Sequence, residues 1–173
     1  MRGYLARGAD ASDVLRWGLQ YYSPEVVKLL LEAGANPNCF DPESPEFTPL
    51  YIAVSNNSGP EVIKLLLEAG ADPNHDGGFG APLFVAVSDG LGPEVIKLVL
   101  EAGADPNQDG RLGTPLFVAV LGELGPEVIR LLLEAEADPN KAHPGHLDET
   151  PLSVARSKGN SEIVELLIEA GAK

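Results

Sequence analysis

The chain is short of the residues that carry most chemistry. Among 173 residues there is one cysteine, Cys39, so no disulfide can close within the chain and nothing in cysteine usage points to an oxidising compartment. Basic residues are also few, 12 Lys and Arg against 26 Asp and Glu for a formal net charge of −14, and they form no run. Binding a phosphate backbone calls for clustered cations, so nucleic acid is not an expected partner. No apolar stretch approaches the roughly 18 residues of a membrane span. The opening MRGYLARGADASD lacks the apolar centre of a signal peptide, and Asp10 and Asp13 come too early for a transit peptide. These shortages lead to the expectation of a soluble cytoplasmic protein. Apolar residues at 44% are enough for a folded core.

What the chain has in plenty is repetition. GPEVIKLLLEAGADPN at 59–74 returns as SPEVVKLLLEAGANPN at 23–38, GPEVIKLVLEAGADPN at 92–107, GPEVIRLLLEAEADPN at 125–140 and, more loosely, NSEIVELLIEAGAK at 160–173. A second phrase keeps step with it: TPLYIAV from Thr48, APLFVAV from Ala81, TPLFVAV from Thr114 and TPLSVAR from Thr150. Each unit therefore holds two short helices. Thr48 can cap the first, and Pro49 at its first position gives up no hydrogen bond. Leu50, Ala53 and Val54 fall on one buried stripe. The second helix opens with Pro60 and Glu61, buries Val62, Ile63, Leu66 and Leu67, and ends on Gly70 before Pro73 forbids continuation. A pair of this size cannot bury its own stripe, but a stack of pairs can.

TPL-x-x-A followed by E-V-I-K-L-L-L-E-A-G-A-D-x-N at a 33-residue step resembles the ankyrin repeat, over nearly the whole chain. The resemblance implies an all-α, ankyrin-like helical solenoid of stacked helix-turn-helix repeats joined by finger loops. It divides the single domain 1–173 into an N-terminal cap repeat 1–38, internal repeats 39–74, 75–107 and 108–140, and a C-terminal cap repeat 141–173. In the first repeat Ser12 and Asp13 are expected to open a helix holding Val14, Trp17 and Tyr21. In the last, Arg156, Lys158, Glu162, Glu165 and Glu169 suit a solvent-facing cap. The chain departs from the family in several places. Tyr51, Phe84, Phe117 and Ser153 replace the usual His after TPL, and Pro precedes each closing Asn. Glu136 stands where Gly should end a helix; a side chain in that conformation costs about 1 kcal/mol, so the fourth repeat should have the least tidy helix end.

No constellation for catalysis emerges. His143 and His146, with Asp148 and Glu149 nearby, lack the spacing of a zinc motif. Cys39 has no histidine close in sequence. HDGGFG (75–80) and QDGRLG (108–113) neither follow a strand nor end in Gly-Lys-Ser/Thr, so they do not read as phosphate loops. The chain is expected to be no enzyme and to hold neither cofactor nor metal.

Function is then sought where repeats 3 and 4 disagree, in the fingers and at the ends of the first helices. The resemblance implies that these zones line a concave face that binds a protein or peptide. The matching positions on helices are Tyr51, Ser55, Phe84, Asp89, Phe117 and Leu121. On the fingers they are Phe40, Asp41, Glu43, Asp76, Phe79, Arg111, Leu112 and Leu147. Tyr51, Phe84 and Phe117 also fit a second role, stacking on one another as a buried ladder. The acidity is compatible with a partner bearing a basic segment, and a monomer is expected. Two other functions stay open: an engineered, consensus-like scaffold without a natural ligand, and a recognition arm cut from a larger enzyme or channel, which the LARGAD echo at 5–10 suggests. Hydroxylation of Asn38, Asn74, Asn107 and Asn140 is a further possibility that the resemblance allows.

Overall fold

The computed structural model describes residues 10–19, 21–40, 42–145 and 148–173. Among these residues ten helices run in five pairs: α1 (Ala11–Gly18) with α2 (Pro24–Glu32), α3 (Pro49–Ser55) with α4 (Pro60–Glu68), α5 (Pro82–Ser88) with α6 (Pro93–Glu101), α7 (Pro115–Leu121) with α8 (Pro126–Glu134), and α9 (Pro151–Ser157) with α10 (Ser161–Glu169). Within each pair the helices pack on each other, and each helix also packs on its counterpart in the next pair. The result is an all-α repeat solenoid, with no strand among the described residues.

Local chemistry sets the helix ends. Thr48, Thr114 and Thr150 accept the N–H of Tyr51, Phe117 and Ser153 through their hydroxyls, at 3.4, 3.2 and 3.2 Å. Ser153 returns the contact by accepting the Thr150 N–H at 2.9 Å, completing a capping box. Ala81 holds the equivalent slot before α5 and has no hydroxyl to offer. At the far ends of the second helices, the N–H groups of Ala35, Ala71, Ala104, Ala137 and Ala172 reach back to carbonyls five residues earlier, at 2.9–3.2 Å. The residue between adopts positive φ each time: Gly34, Gly70, Gly103 and Gly171, with Glu136 at φ 67° among them. Glu136 thus takes the left-handed conformation expected of it. Its helix end is otherwise as regular as the others, with the Ala137 N–H to Leu132 O bond at 3.0 Å.

The core is continuous from one end to the other. Leu50, Ala53 and Val54 of α3 are fully buried, as are Ile63 and Leu66 of α4 and their counterparts Ala86, Ile96, Ala119, Ile129 and Leu132. Leu67 is only partly buried against it. In the first repeat, Asp10 rather than Ser12 caps the helix, accepting the Ser12 N–H at 2.8 Å. The buried residues there are Leu15 and Leu19, whereas Trp17 is 67% exposed beneath Arg16 and Tyr21 lies beyond the helix end. Leu15 and Gly18, three residues apart, share the buried face, and Gly18 receives the Tyr22 ring so closely that a Cβ would sit 1.8 Å from it. The last repeat exposes Arg156, Lys158, Glu162, Glu165 and Glu169, as a cap demands.

Four asparagines tie neighbouring repeats together. Asn38 donates from Nδ2 to Gly70 O at 2.8 Å and accepts the Asp72 N–H on Oδ1 at 2.7 Å. Asn74 does the same with Gly103 and Asp105 (2.9 and 2.7 Å), and Asn107 with Glu136 and Asp138 (2.9 and 2.7 Å). Asn140 closes the series on Gly171 O at 3.1 Å and the Lys173 N–H at 2.9 Å. Each amide satisfies one backbone donor and one acceptor of the next repeat, groups left over where a helix ends.

Candidate partner-binding surface

α3 and α5 pack side by side, flanked by the finger of repeat 3, which leads into α5, and by that of repeat 4, which leads into α7. Between these four elements lies a cleft of about 420 Å3. Tyr51 and Ser55 contribute from α3; Phe84, Val85, Ser88 and Asp89 contribute from α5 and its cap; Phe79, Arg111 and Leu112 come from the two fingers. Phe79 and Leu112 are 50% and 48% exposed. These are large apolar side chains held at a surface, the kind that anchors interfaces.

The fingers are built, not loose. Asp76 Oδ1 accepts the N–H groups of Gly78 and Gly80 at 2.8 and 3.2 Å, which folds the tip bearing Phe79. Gly110 and Gly113 form an isolated antiparallel bridge that folds the tip bearing Leu112. The Arg111 N–H donates to Phe79 O at 3.2 Å, and the Arg111 guanidinium lies 4.5 Å from the centre of the Phe79 ring. A cation over an aromatic face is attracted by the ring quadrupole, so the two fingertips hold each other.

The aromatic residues after each TPL have a common role. Phe84 and Phe117 are 3% and 1% exposed, so Phe84 backs the cleft and Phe117 belongs to the core and cannot meet a partner directly. They do not stack on one another. Each lies against the finger of the following repeat: Tyr51 against Gly77, Phe84 against Gly110, and Phe117 against His143, whose ring centre is 5.3 Å away. A Cβ at Gly77 or Gly110 would fall 2.1 or 2.3 Å from the ring it faces. Gly77 and Gly110 are therefore explained by close approach of an aromatic ring, whereas Gly78 (φ 79°) and Gly113 (φ 100°) take the left-handed conformation that the fingertip turns require. Phe47 adds a tilted contact with Tyr51 at 5.7 Å.

The electrostatics of the cleft are asymmetric. Burial pushes the Tyr51 phenol up from its usual value; the nearby charges of Asp89, Asp76 and Glu46 push the same way, and Ser55 opposes them. Asp89, the cap residue of α5, is exposed and has no ion pair among the described residues. The equivalent cap slots hold Asn56, Gly122 and Lys158, and Lys158 is joined to Glu123 at 2.8 Å. Asp109 is likewise joined to Lys141 at 2.9 Å.

Seven of the residues expected at a binding face meet at this cleft: Tyr51, Ser55, Phe79, Phe84, Asp89, Arg111 and Leu112. Asp76 supports it from the finger. Leu121 is exposed at the end of α7, and Phe40 and Glu43 are exposed on the finger of repeat 2; all three lie away from the cleft. Asp41 and Leu147 fall outside the described residues, as does His146. His143 Nδ1 accepts the Gly145 N–H at 3.0 Å, and so serves its own turn. The Cys39 thiol is half-buried; burial pushes its pKa up, opposed by Arg16 and reinforced by Asp13 and Asp10, away from the activated thiolate that nucleophilic chemistry needs. Val85 was not anticipated as a lining residue, because it is the same in repeats 3 and 4 and a search for differences passes over it.

Stacked helix pairs, a conserved pattern of caps from pair to pair, and a preformed cleft between fingers and first helices define a helical-repeat protein of the interaction type. The family model described as "Ankyrin repeats (3 copies)" matches at residues 5–77, 58–143 and 83–173, and the chain belongs to the ankyrin-repeat family. Ankyrin repeats are generally protein–protein interaction modules and typically non-catalytic. A search of curated proteins gave no match. No helix among the described residues is long and apolar enough to cross a membrane.

Proposed function

We propose that the chain is a non-catalytic module that captures a protein or peptide segment through the cleft and fingers of repeats 3 and 4. The observation that carries this reading is the pair of half-exposed apolar side chains, Phe79 and Leu112, fixed on fingers that are internally hydrogen-bonded. Fixing such groups in advance lowers the entropy lost when a partner is ordered against them. The net charge of −14 favours partners with basic segments and disfavours nucleic acid. The protein acts on this reading as a monomer in the cytoplasm, with Leu121 extending the contact along repeat 4 and Phe40 and Glu43 extending it to repeat 2. Capture from the native cell, quantified by mass spectrometry, provides the test. Proteins retained by the wild type should be lost with the combined variant Phe79→Ala, Leu112→Ala, Leu121→Ala, whose melting should stay unchanged; undiminished retention refutes the reading.

A further inference from the structure

We propose that the cleft seats one apolar side chain of an extended peptide between Phe79 and Leu112, with an adjacent Arg or Lys of the same peptide meeting Asp89. This rests on the interaction reading above and names the chemistry of its ligand.

Size comes first. At about 420 Å3 the cleft lies near the lower end of the roughly 300–1,000 Å3 typical of small-ligand pockets, room for a large side chain and the backbone beside it. Its walls are Phe79 and Leu112, and its floor is the buried Phe84 and Val85, so the side chain that enters is apolar.

Charge then fixes the flanking residue and the direction. Asp89 lines the helix side of the cleft with no ion pair among the described residues, and its charge reaches the Tyr51 phenol in the same lining. An anionic segment would be repelled by the Asp89 carboxylate there; a cation meets it without displacing an existing ion pair. At the opposite, fingertip side the cation is already present, Arg111 over the Phe79 ring, and it repels a second one. The peptide's basic residue is therefore directed to Asp89 and its backbone carbonyls to the Arg111 guanidinium.

The neighbouring repeats do not duplicate this arrangement. The cap slot that holds Asp89 in repeat 3 holds neutral Asn56 in repeat 2 and neutral Gly122 in repeat 4; in the last repeat it holds Lys158, bonded to Glu123. In this cleft an apolar wall coincides with a carboxylate that has no ion pair among the described residues.

The probe is a random 12-mer peptide library displayed on phage and selected on the wild-type protein. Enriched sequences are then synthesised with a fluorescein label and measured by anisotropy. The enriched peptides should place Leu, Met or an aromatic residue beside Arg or Lys. Asp89→Asn should weaken them about three- to fivefold, as loss of an exposed ion pair does. Ser88→Trp, which fills the mouth of the cleft from an exposed position, should weaken them about tenfold or more. Circular dichroism melts check that both variants fold. Enriched peptides that lack a basic residue, or that ignore Asp89→Asn while Ser88→Trp removes them, overturn the inference and leave the interaction module standing. Peptides indifferent to Ser88→Trp and to Phe79→Ala with Leu112→Ala overturn both. A selection that enriches nothing overturns the inference.

Discussion

All five second helices end on the same left-handed slot, and the fourth alone fills it with a side chain. Gly34, Gly70, Gly103 and Gly171 have φ of 88°, 89°, 92° and 93°, and Glu136 has φ 67°. A Cβ at any of these four glycines would meet nothing within 4 Å, so the slot is open and the penalty at 136 is torsional rather than steric. That penalty is about 1–2 kcal/mol for an L-residue. Glycine gives back about 0.4–1 kcal/mol through the greater freedom of its unfolded chain. Glu136 also puts a negative charge beside the carbonyl end of α8, next to Glu134, which costs about 0.3–1 kcal/mol. Together these leave Glu136→Gly more stable by about 1 kcal/mol. Urea unfolding should show a higher midpoint with an unchanged slope, and the melting temperature should rise by about 2–4 °C. Glu136→Ala keeps the Cβ and removes the charge, so it should recover only a few tenths of a kcal/mol. Gly103→Glu should cost about 1 kcal/mol at the matching site. Equal gains from Glu136→Gly and Glu136→Ala would show that charge, and not backbone conformation, governs the site; no gain from either would refute the reasoning altogether.

Gly110→Ala drives a methyl group into the Phe84 ring and should cost about 1–3 kcal/mol in chemical denaturation, with a smaller cost in a Phe84→Val background. Asn74→Ala removes two inter-repeat hydrogen bonds whose atoms water can partly serve, so a loss of about 1–2 kcal/mol is expected; a loss under about 0.3 kcal/mol would mean that the asparagines do not couple the repeats. The Tyr51 phenol favours its neutral form in the folded state. Its contribution to stability is therefore intact below the ordinary tyrosine pKa near 10 and is lost as pH rises above it. The difference in ultraviolet titration between wild type and Tyr51→Phe should place its midpoint above 10, and wild type should lose stability relative to that variant in the same range.

Much of the fold could be read from the chain because its signals are local. Thr-Pro at a start, Gly before Ala-Asp-Pro-Asn at an end and apolar residues three and four apart need no knowledge of the neighbours. What depends on neighbours was harder. Tyr51, Phe84 and Phe117 read from the sequence either as binding-face residues or as a stacked ladder; Tyr51 and Phe84 line the cleft, and all three rings meet the following finger, because the offset between one repeat's helix and the next repeat's finger is set by stacking. A faint trace existed in Gly77 and Gly110, which stand one repeat after a ring. Glu136 predicted an untidy end, but Asn107 holds the Glu136 carbonyl from the adjacent repeat and keeps the turn regular despite its torsion. At the cleft, comparing unequal positions found Phe79, Asp89 and Arg111. It could not find Val85, which does not vary, nor show that Phe40 and Leu121 lie elsewhere.

The asparagine ladder has a mechanical consequence. Hydrogen bonds are short-ranged and directional, whereas apolar helix faces tolerate sliding, so the line from Asn38 to Asn140 is the least extensible fibre of the solenoid. Flexing must pivot about that fibre, much as a bound book opens about its spine. At the fingers of repeats 3 and 4 a second tie is added, the Arg111 N–H to Phe79 O bond, so those two repeats are joined at two levels and the cleft keeps its shape when the rest of the stack bends.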